Sequence, residues 1–163
     1  MNASNELVET LAGLLLQRGW MLATAESCTG GMIAAACTDR AGSSEWFERG
    51  LVSYSNAAKH DLLGVPEALI AEHGAVSEPV ARAMAEGAIA HSRAQCSVAV
   101  TGVAGPGGGS AAKPVGTVWF GWNVYGTTHS ECLRFDGDRA AVRQATVAHA
   151  LQRLNALISA RLL

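Results

Sequence analysis

The sequence lacks the features that mark several classes of protein. Its charge is nearly balanced, with 12 basic and 14 acidic residues among 163, and it has no basic tract. Binding to nucleic acid through phosphates needs a basic surface, so we expect no nucleic acid partner. No apolar run reaches the roughly 20 residues that a membrane-spanning helix needs. The first residues also lack the basic and apolar regions of a signal peptide. We therefore expect no membrane partner and a cytoplasmic location.

Cysteine and histidine are few and scattered. The four cysteines form no CxxC pair and the five histidines form no HExxH motif. Zinc sites usually show paired ligands at short spacing, so we expect no metal ion, and nothing else in the sequence indicates a cofactor. Isolated cysteines in a chain without a signal peptide are typical of reduced thiols in a core.

Lysine is scarce as well, since only Lys59 and Lys113 occur among the 12 basic residues. Each is therefore a candidate for a specific role.

Glycine is plentiful, with 18 residues, and several cluster between Gly102 and Pro114. This segment has no GK[ST] and, because position 110 is serine, no GxGxxG, so neither nucleotide-binding fingerprint is met. Its glycines still allow backbone N–H groups to approach a ligand closely.

Helical periodicity recurs along the chain and ends in a long amphipathic segment. The predicted helices cover residues 5–17, 30–38, part of 55–65, 66–72, 77–93, and a C-terminal stretch whose apolar positions run from Val142 to Leu162. Their predicted N-caps are Ser4, Ser55 or Asn56, Ser77, and Asp136 or Asp138.

Short apolar runs between these helices predict strands. They are Trp20–Ala23, Gly50–Tyr54, Cys96–Thr101, and a hairpin of Val115–Tyr125 and Thr127–Phe135. Helices that alternate with buried strands, followed by a late hairpin, indicate a three-layer α/β fold with a mixed central sheet. No linker or repeat divides the chain, so we expect one domain over residues 1–163.

The stretch TAESCTGG, residues 24–31, joins a predicted strand to a predicted helix. Backbone N–H groups at a helix start have no partner within the helix, so Ser27 is a candidate nucleophile with the N–H groups of residues 28–31 as an oxyanion hole. Alternatively, Ser27 or Thr29 only caps the helix. Cys28 is a rival nucleophile, because a thiol at a helix N-terminus is expected to have a lowered pKa.

Three polar loops each follow a predicted strand, and such loops converge beyond the carboxyl ends of strands in α/β folds. One of these loops, SYSNAAK, contains Tyr54 and Lys59. A lysine needs burial or a neighbouring cation to act as a base near neutral pH. Lys59 is therefore either a base for Ser27 or an ordinary solvated helix residue. Arg139 and Arg143 lie one helical turn apart and form either a phosphate clamp or a surface salt bridge with Asp138.

Five blocks, in order, resemble the CinA C-terminal domain family, whose characterised members are nicotinamide-nucleotide amidohydrolases of the PncC type. The blocks are TAESCTGG, GLVSYSNAAKHDLLGV, GAVSEPVARAMAEGA, TGVAGPGGGSAAKPVGTVWFG and FDGDRAAVR. The resemblance spans about residues 7–157 and fits the stand-alone form of the domain. It implies hydrolysis of nicotinamide mononucleotide to nicotinic acid mononucleotide and ammonia.

The resemblance also implies roles for individual residues. Ser27 would be the nucleophile, Lys59 its base, and Tyr54 an assisting group. The implied substrate-binding residues are Ser44, Thr101, Arg139 or else Arg143, and, around the phosphate or oxyanion, Thr29, Gly30, Gly31, Gly102 and Gly105. The chain departs from its relatives at Ala57, where they often carry an acidic residue, and at residues 110–112, where no acid precedes Lys113.

Two other functions fit the same residues. The chain could bind a nucleotide or another protein without turnover, or it could hydrolyse a different amide. Four tryptophans and an apolar C-terminal helix in a small chain also favour a homo-oligomer, a dimer or larger.

Overall fold

The computed structural model describes residues 3–161, so Leu162, the last apolar position of the predicted C-terminal helix, lies outside the described range. The elements, in chain order, are α1 (Ala3–Arg18), β1 (Leu22–Glu26), α2 (Met32–Thr38), a 3-10 helix (Ser43–Glu45), β2 (Phe47–Val52), α3 (Asn56–Leu63), α4 (Glu67–His73), α5 (Glu78–Ala90), β3 (Cys96–Gly102), β4 (Thr117–Val124), β5 (Thr127–Arg134) and α6 (Arg139–Ala160).

The five strands form one mixed sheet in the order β2-β1-β3-β4-β5. β1 pairs in parallel with β2 and with β3, whereas β4 is antiparallel to both β3 and β5. The central strands β1 and β3 are buried along almost their whole length, as expected for strands covered on both faces. The carboxyl ends of β1, β2 and β3 therefore lie at the same edge of the sheet.

Helices cover both faces of this sheet and form two hydrophobic cores. One core joins the sheet to α1, α2 and α6, and the other joins it to α3, α4 and α5. The predicted three-layer α/β fold with a mixed sheet and a long C-terminal helix is confirmed. Within residues 3–161, no helix is long and apolar enough to cross a membrane.

Several predicted boundaries differ from the structure. Ser4 lies inside α1 and does not cap it, because the helix already includes Ala3. α2 begins at Met32 rather than near Gly30. β2 runs from Phe47 to Val52, three residues earlier than predicted at its start, because this edge strand is only partly buried and carries no clear apolar pattern.

The position of α3 is set by its cap and by its packing on α5. The Ser55 hydroxyl accepts a hydrogen bond from the Ala58 N–H and so caps α3, as predicted. At the other end of α3, the Leu63 backbone lies directly against Gly87 of α5, where a Cβ would be 3.0 Å from the Leu63 carbonyl carbon and would overlap its oxygen. Gly87 thereby allows the two helices to approach closely.

Candidate functional site

A cavity of about 340 Å³ opens at the carboxyl ends of the three parallel strands. This volume is within the usual range for small-molecule sites. Seven of the predicted site residues line the cavity: Ser27, Tyr54, Lys59, Thr101, Gly102, Gly105 and Arg139. The parallel pairing of β1, β2 and β3 is what brings these distant parts of the chain together.

Ser27 and Lys59 meet at the base of this cavity. The Lys59 Nζ lies 3.0 Å from the Ser27 Oγ, and it is 3.1 Å from each of the carbonyl oxygens of Ser53 and Tyr54. The Ser27 Oγ is also 3.3 Å from the Tyr54 carbonyl oxygen. The Lys59 nitrogen thus donates to both carbonyls and to the Ser27 hydroxyl, and that hydroxyl donates to the Tyr54 carbonyl. In the neutral amine a lone pair would replace the third N–H and face the serine oxygen.

Lys59 is buried, with only 1% of its surface exposed. Desolvation disfavours the charged form and lowers the pKa of Lys59 from its ordinary value. No carboxylate lies among the residues that line the cavity, so none is placed there to restore the charged form. The structure thus places this lysine as a buried neighbour of Ser27 and not as a solvated helix residue.

The predicted lowering of the Cys28 pKa is wrong. Cys28 is buried, and desolvation raises the pKa of its thiol to about 11. At neutral pH the thiol is therefore almost entirely protonated, and the thiolate is the form that acts as a nucleophile. This favours Ser27 over Cys28.

The first N–H groups of α2 are bound by Glu26, a residue with no predicted role. The Glu26 carboxylate accepts hydrogen bonds from the N–H groups of Ile33, at 2.8 Å, and Ala34, at 3.0 Å. It also accepts a 2.6 Å hydrogen bond from the Thr29 hydroxyl. The suggestion that Ser27 or Thr29 caps α2 is therefore wrong, since Gly31 is the N-cap residue and neither side chain bonds to the helix. The Ser27 hydroxyl remains available at the cavity.

The two arginines of α6 have different surroundings. Arg139 lines the cavity, where it donates to the Gly105 carbonyl at 2.9 Å and to the Tyr54 hydroxyl at 3.3 Å. Arg143 lies one helical turn further on and donates to the carbonyls of Cys28, at 3.1 Å, and Thr29, at 3.3 Å. Neither arginine forms an ion pair within residues 3–161, and Asp138 instead caps α6 at Ala141.

The far wall of the cavity is built from the end of β3 and the glycine-rich loop. The Thr101 hydroxyl donates to the Ala75 carbonyl at 2.9 Å, which ties β3 to the segment before α5. Gly102 leaves no room for a side chain, because a Cβ there would lie 2.7 Å from Val118. Lys113 donates to the His73 carbonyl at 2.7 Å and fastens the loop to the end of α4. Lys113, the second lysine of the chain, therefore binds a backbone carbonyl and does not line the cavity.

The remaining predicted site residues do not line the cavity. Thr29, Gly30 and Gly31 form the turn behind Ser27, and Ser44 is exposed in the 3-10 helix before β2, at the opposite end of that strand. The sequence offered no signal for this location of Ser44, since it depends on the direction of β2 in the sheet.

The charge of the cavity favours an anionic ligand. Arg139 supplies a permanent positive charge, Lys59 is the other basic residue of the lining, and no acidic residue lines the cavity. In the described part of the chain, no three histidine, cysteine or acidic side chains are grouped so as to hold a metal ion. Asn56 and the backbone of the glycine loop add polar groups at the rim.

Comparison with known proteins gives consistent matches over nearly the whole chain. The model of the CinA C-terminal domain matches residues 4–158. Two similar proteins are named nicotinamide-nucleotide amidohydrolase PncC. The one from Escherichia coli (strain K12) is 53% identical over 152 residues, which is 91% of each chain. The one from Pseudomonas putida is 60% identical over 131 residues, covering 80% of this chain and 82% of its own. The crystal structure of competence/damage inducible protein CihA from Agrobacterium tumefaciens matches with a TM-score of 0.93 at 46% identity, covering 96% of each chain.

Proposed function

Since the chain belongs to the CinA C-terminal domain family, we propose that it hydrolyses the carboxamide of nicotinamide mononucleotide to give nicotinic acid mononucleotide and ammonia. The observation that carries this proposal is the buried Lys59 amine, 3.0 Å from the Ser27 hydroxyl, in a cavity whose charged side chains are basic. The names of the two PncC relatives support the choice of substrate.

In the first half of the reaction, the Ser27 Oγ attacks the carboxamide carbon while the neutral Lys59 amine accepts its proton. The Ser53 and Tyr54 carbonyls hold the amine in place throughout. N–H groups at the start of the turn after Ser27 stabilise the oxyanion that forms. The Lys59 ammonium then returns the proton to the amide nitrogen, the carbon–nitrogen bond breaks, and ammonia leaves with an ester on Ser27.

In the second half, water replaces ammonia at the same position. Lys59, neutral again, accepts a proton from the water as its oxygen attacks the ester carbon. The carbon–Oγ bond breaks, Ser27 recovers its proton from Lys59, and the nicotinate product leaves. One lysine therefore serves as base and acid in both halves, which a depressed lysine pKa makes feasible near neutral pH.

Arg139 provides the contact for the substrate phosphate. It is exposed at the cavity rim, and its partners there are a carbonyl and a phenol rather than a carboxylate. Its charge is thus not neutralised by an acid, and a guanidinium binds phosphate through charge-assisted hydrogen bonds. The glycine loop opposite can approach the nucleotide with its backbone.

The direct test measures ammonia release from nicotinamide mononucleotide, with a chelator present, for the wild type, Ser27→Ala and Lys59→Met. Ser159→Ala, an exposed serine on α6, is the matched control. We expect activity in the wild type and the control and a loss of at least about a thousandfold in the other two variants, as seen when a nucleophile or its base is removed. Near-normal turnover by Ser27→Ala would refute the mechanism.

The nicotinamide riboside, which lacks the phosphate, tests the second part of the proposal. We expect a KM for the riboside far above that for the nucleotide, and Arg139→Ala should remove most of this difference. If the riboside and the nucleotide are hydrolysed equally well, Arg139 is not a phosphate contact. Tight nucleotide binding without any ammonia release would instead indicate a binding module.

A further inference from the structure

The turn that carries Ser27 is held from two sides by ionisable side chains that do not line the cavity. We infer that Glu26 and Arg143 are positioning residues, which fix the turn of residues 27–31 so that the serine hydroxyl and the adjacent N–H groups face the substrate. This inference rests on the proposed function. It assigns Arg143 to the enzyme's own backbone rather than to the phosphate.

Glu26 holds the turn from the helix side. Its carboxylate is 1% exposed and binds three donors, the Thr29 hydroxyl and the N–H groups of Ile33 and Ala34. These contacts join the residue before the nucleophile to both the turn and the first residues of α2. A carboxylate is well suited here, because two N–H donors and one hydroxyl donor all need acceptors, whereas a glutamine would present an N–H₂ group to one of them.

Arg143 holds the same turn by binding two of the carbonyl groups in the turn. The Arg143 Nε donates to the Cys28 carbonyl at 3.1 Å, and one terminal nitrogen of Arg143 donates to the Thr29 carbonyl at 3.3 Å. The turn also needs glycines, since Gly30 and Gly31 have φ angles of 58° and 108°. Two backbone hydrogen bonds close the turn from within, from the Gly30 N–H to the Ser27 carbonyl at 3.0 Å and from the Met32 N–H to the Thr29 carbonyl at 3.1 Å. The contacts of Glu26 and Arg143 add to them and fix the turn against its surroundings.

The contact of Arg143 with Cys28 also bears on the cavity, because Cys28 lines it. In a trans peptide group the carbonyl and the N–H lie in one plane and point in opposite directions. A guanidinium that fixes the Cys28 carbonyl therefore fixes the plane of the whole peptide group that follows Cys28. Arg143 thus restrains the backbone next to Ser27 without lining the cavity itself.

The inference predicts opposite kinetic effects for two arginines that are four residues apart on one helix. Arg143→Ala should lower kcat about 10- to 100-fold and leave KM within about twofold, because small misplacement of reacting groups has effects of this size. Arg143→Lys, which keeps a charge near one carbonyl, should recover part of kcat. Glu26→Gln should resemble Arg143→Ala, whereas Arg139→Ala should mainly raise KM. Arg153→Ala, on the outer surface of α6, is the control.

Thermal unfolding identifies any variant that does not fold. If Glu26→Gln does not fold, the comparison of Arg143→Ala with Arg143→Lys tests the inference. A rise of tenfold or more in KM for Arg143→Ala, with kcat retained, would overturn the inference and make Arg143 a substrate contact. Kinetic constants equal to those of Arg153→Ala would also overturn it.

A second measurement separates this inference from the choice of substrate. An aryl sulfonyl fluoride reacts with an activated serine by forming a sulfur–oxygen bond as fluoride leaves, and the serine proton passes to the base. We expect mass spectrometry to show rapid labelling of Ser27 in the wild type and at least tenfold slower labelling in Arg143→Ala and Glu26→Gln. If the wild type is labelled faster than both variants but releases no ammonia, the proposed substrate is wrong and the inference stands. Equal labelling rates in all three proteins would overturn the inference.

Discussion

Replacing Gly87 by alanine should inactivate the protein from a site remote from the chemistry. In most helix interiors this change stabilises the helix by about 1 kcal/mol. At Gly87, however, the new Cβ would overlap the Leu63 carbonyl oxygen and lie 3.0 Å from the carbonyl carbon. Because carbon atoms pack best at about 3.5–4.0 Å and the oxygen lies closer than either carbon, α3 must move away from α5 by roughly 1 Å or more.

That displacement acts on Lys59, which lies one turn before Leu63 on the same helix. Its amine is now 3.0 Å from the Ser27 hydroxyl, and a shift of this size would place the pair beyond the usual hydrogen-bond range of about 2.7–3.2 Å. We expect kcat to fall about 100-fold, the usual effect of a misplacement near 1 Å. Overpacking costs about 1–3 kcal/mol, so after the helix gain the net loss is up to about 2 kcal/mol, or up to about 8 °C in Tm.

The assay compares Gly87→Ala with Gly13→Ala in ammonia release and thermal unfolding. Gly13 lies in the interior of α1, and a Cβ there would meet no atom within 4 Å. Gly13→Ala should therefore raise Tm by about 2–4 °C and leave activity unchanged. If Gly87→Ala also gains stability and keeps full activity, the close approach of α3 and α5 does not set the position of Lys59.

Three further predictions concern ionisation. Because burial lowers the pKa of Lys59, kcat/KM should rise with pH and level off below the ordinary lysine value of 10.5, which a pH–rate profile measures. Between the folded pKa and 10.5 the unfolded chain binds one more proton, so this lysine makes stability rise with pH over that interval, and Lys59→Met should lack this contribution in urea unfolding. Iodoacetamide at pH 8 should alkylate the exposed Cys132 without loss of activity, because burial raises the pKa of the Cys28 thiol to about 11. Inactivation that accompanies labelling of Cys28 would contradict this.

Much of the fold could be predicted from the sequence. β3 coincides with a predicted apolar run, and the hairpin of β4 and β5 turns at Tyr125–Gly126 as predicted. The predicted bounds of β1, Trp20–Ala23, are wrong: the strand runs from Leu22 to Glu26, because its last residues pair with β2 and β3 although two of them are polar. The resemblance to the CinA C-terminal domain is confirmed by the match over residues 4–158. The start of β2 was missed because an edge strand with partly exposed residues leaves no apolar pattern.

The proximity of Ser27 and Lys59 could be anticipated, since loops after parallel strands share one edge of a sheet. The role of Glu26 could not, because its partners Ile33 and Ala34 lie 7 and 8 positions away, outside any local capping pattern. The difference between Arg139 and Arg143 was equally hidden. Their spacing in the sequence places both arginines on the same face of the helix. Their different roles become visible only in the structure, where Arg139 contacts the glycine loop and Arg143 contacts the turn after Ser27.

The two hydrophobic cores have a consequence for how the protein loses activity. Cys28 and the helix after Ser27 belong to the core that contains α1 and α6, whereas Leu63 of α3 belongs to the core on the other face of the sheet. The serine and the lysine are thus anchored in separate layers and meet only at the sheet edge. Partial opening of either layer, well short of global unfolding, would part them. Catalytic turnover should therefore be a more sensitive reporter of early heat or denaturant damage than the spectroscopic signal of the helices.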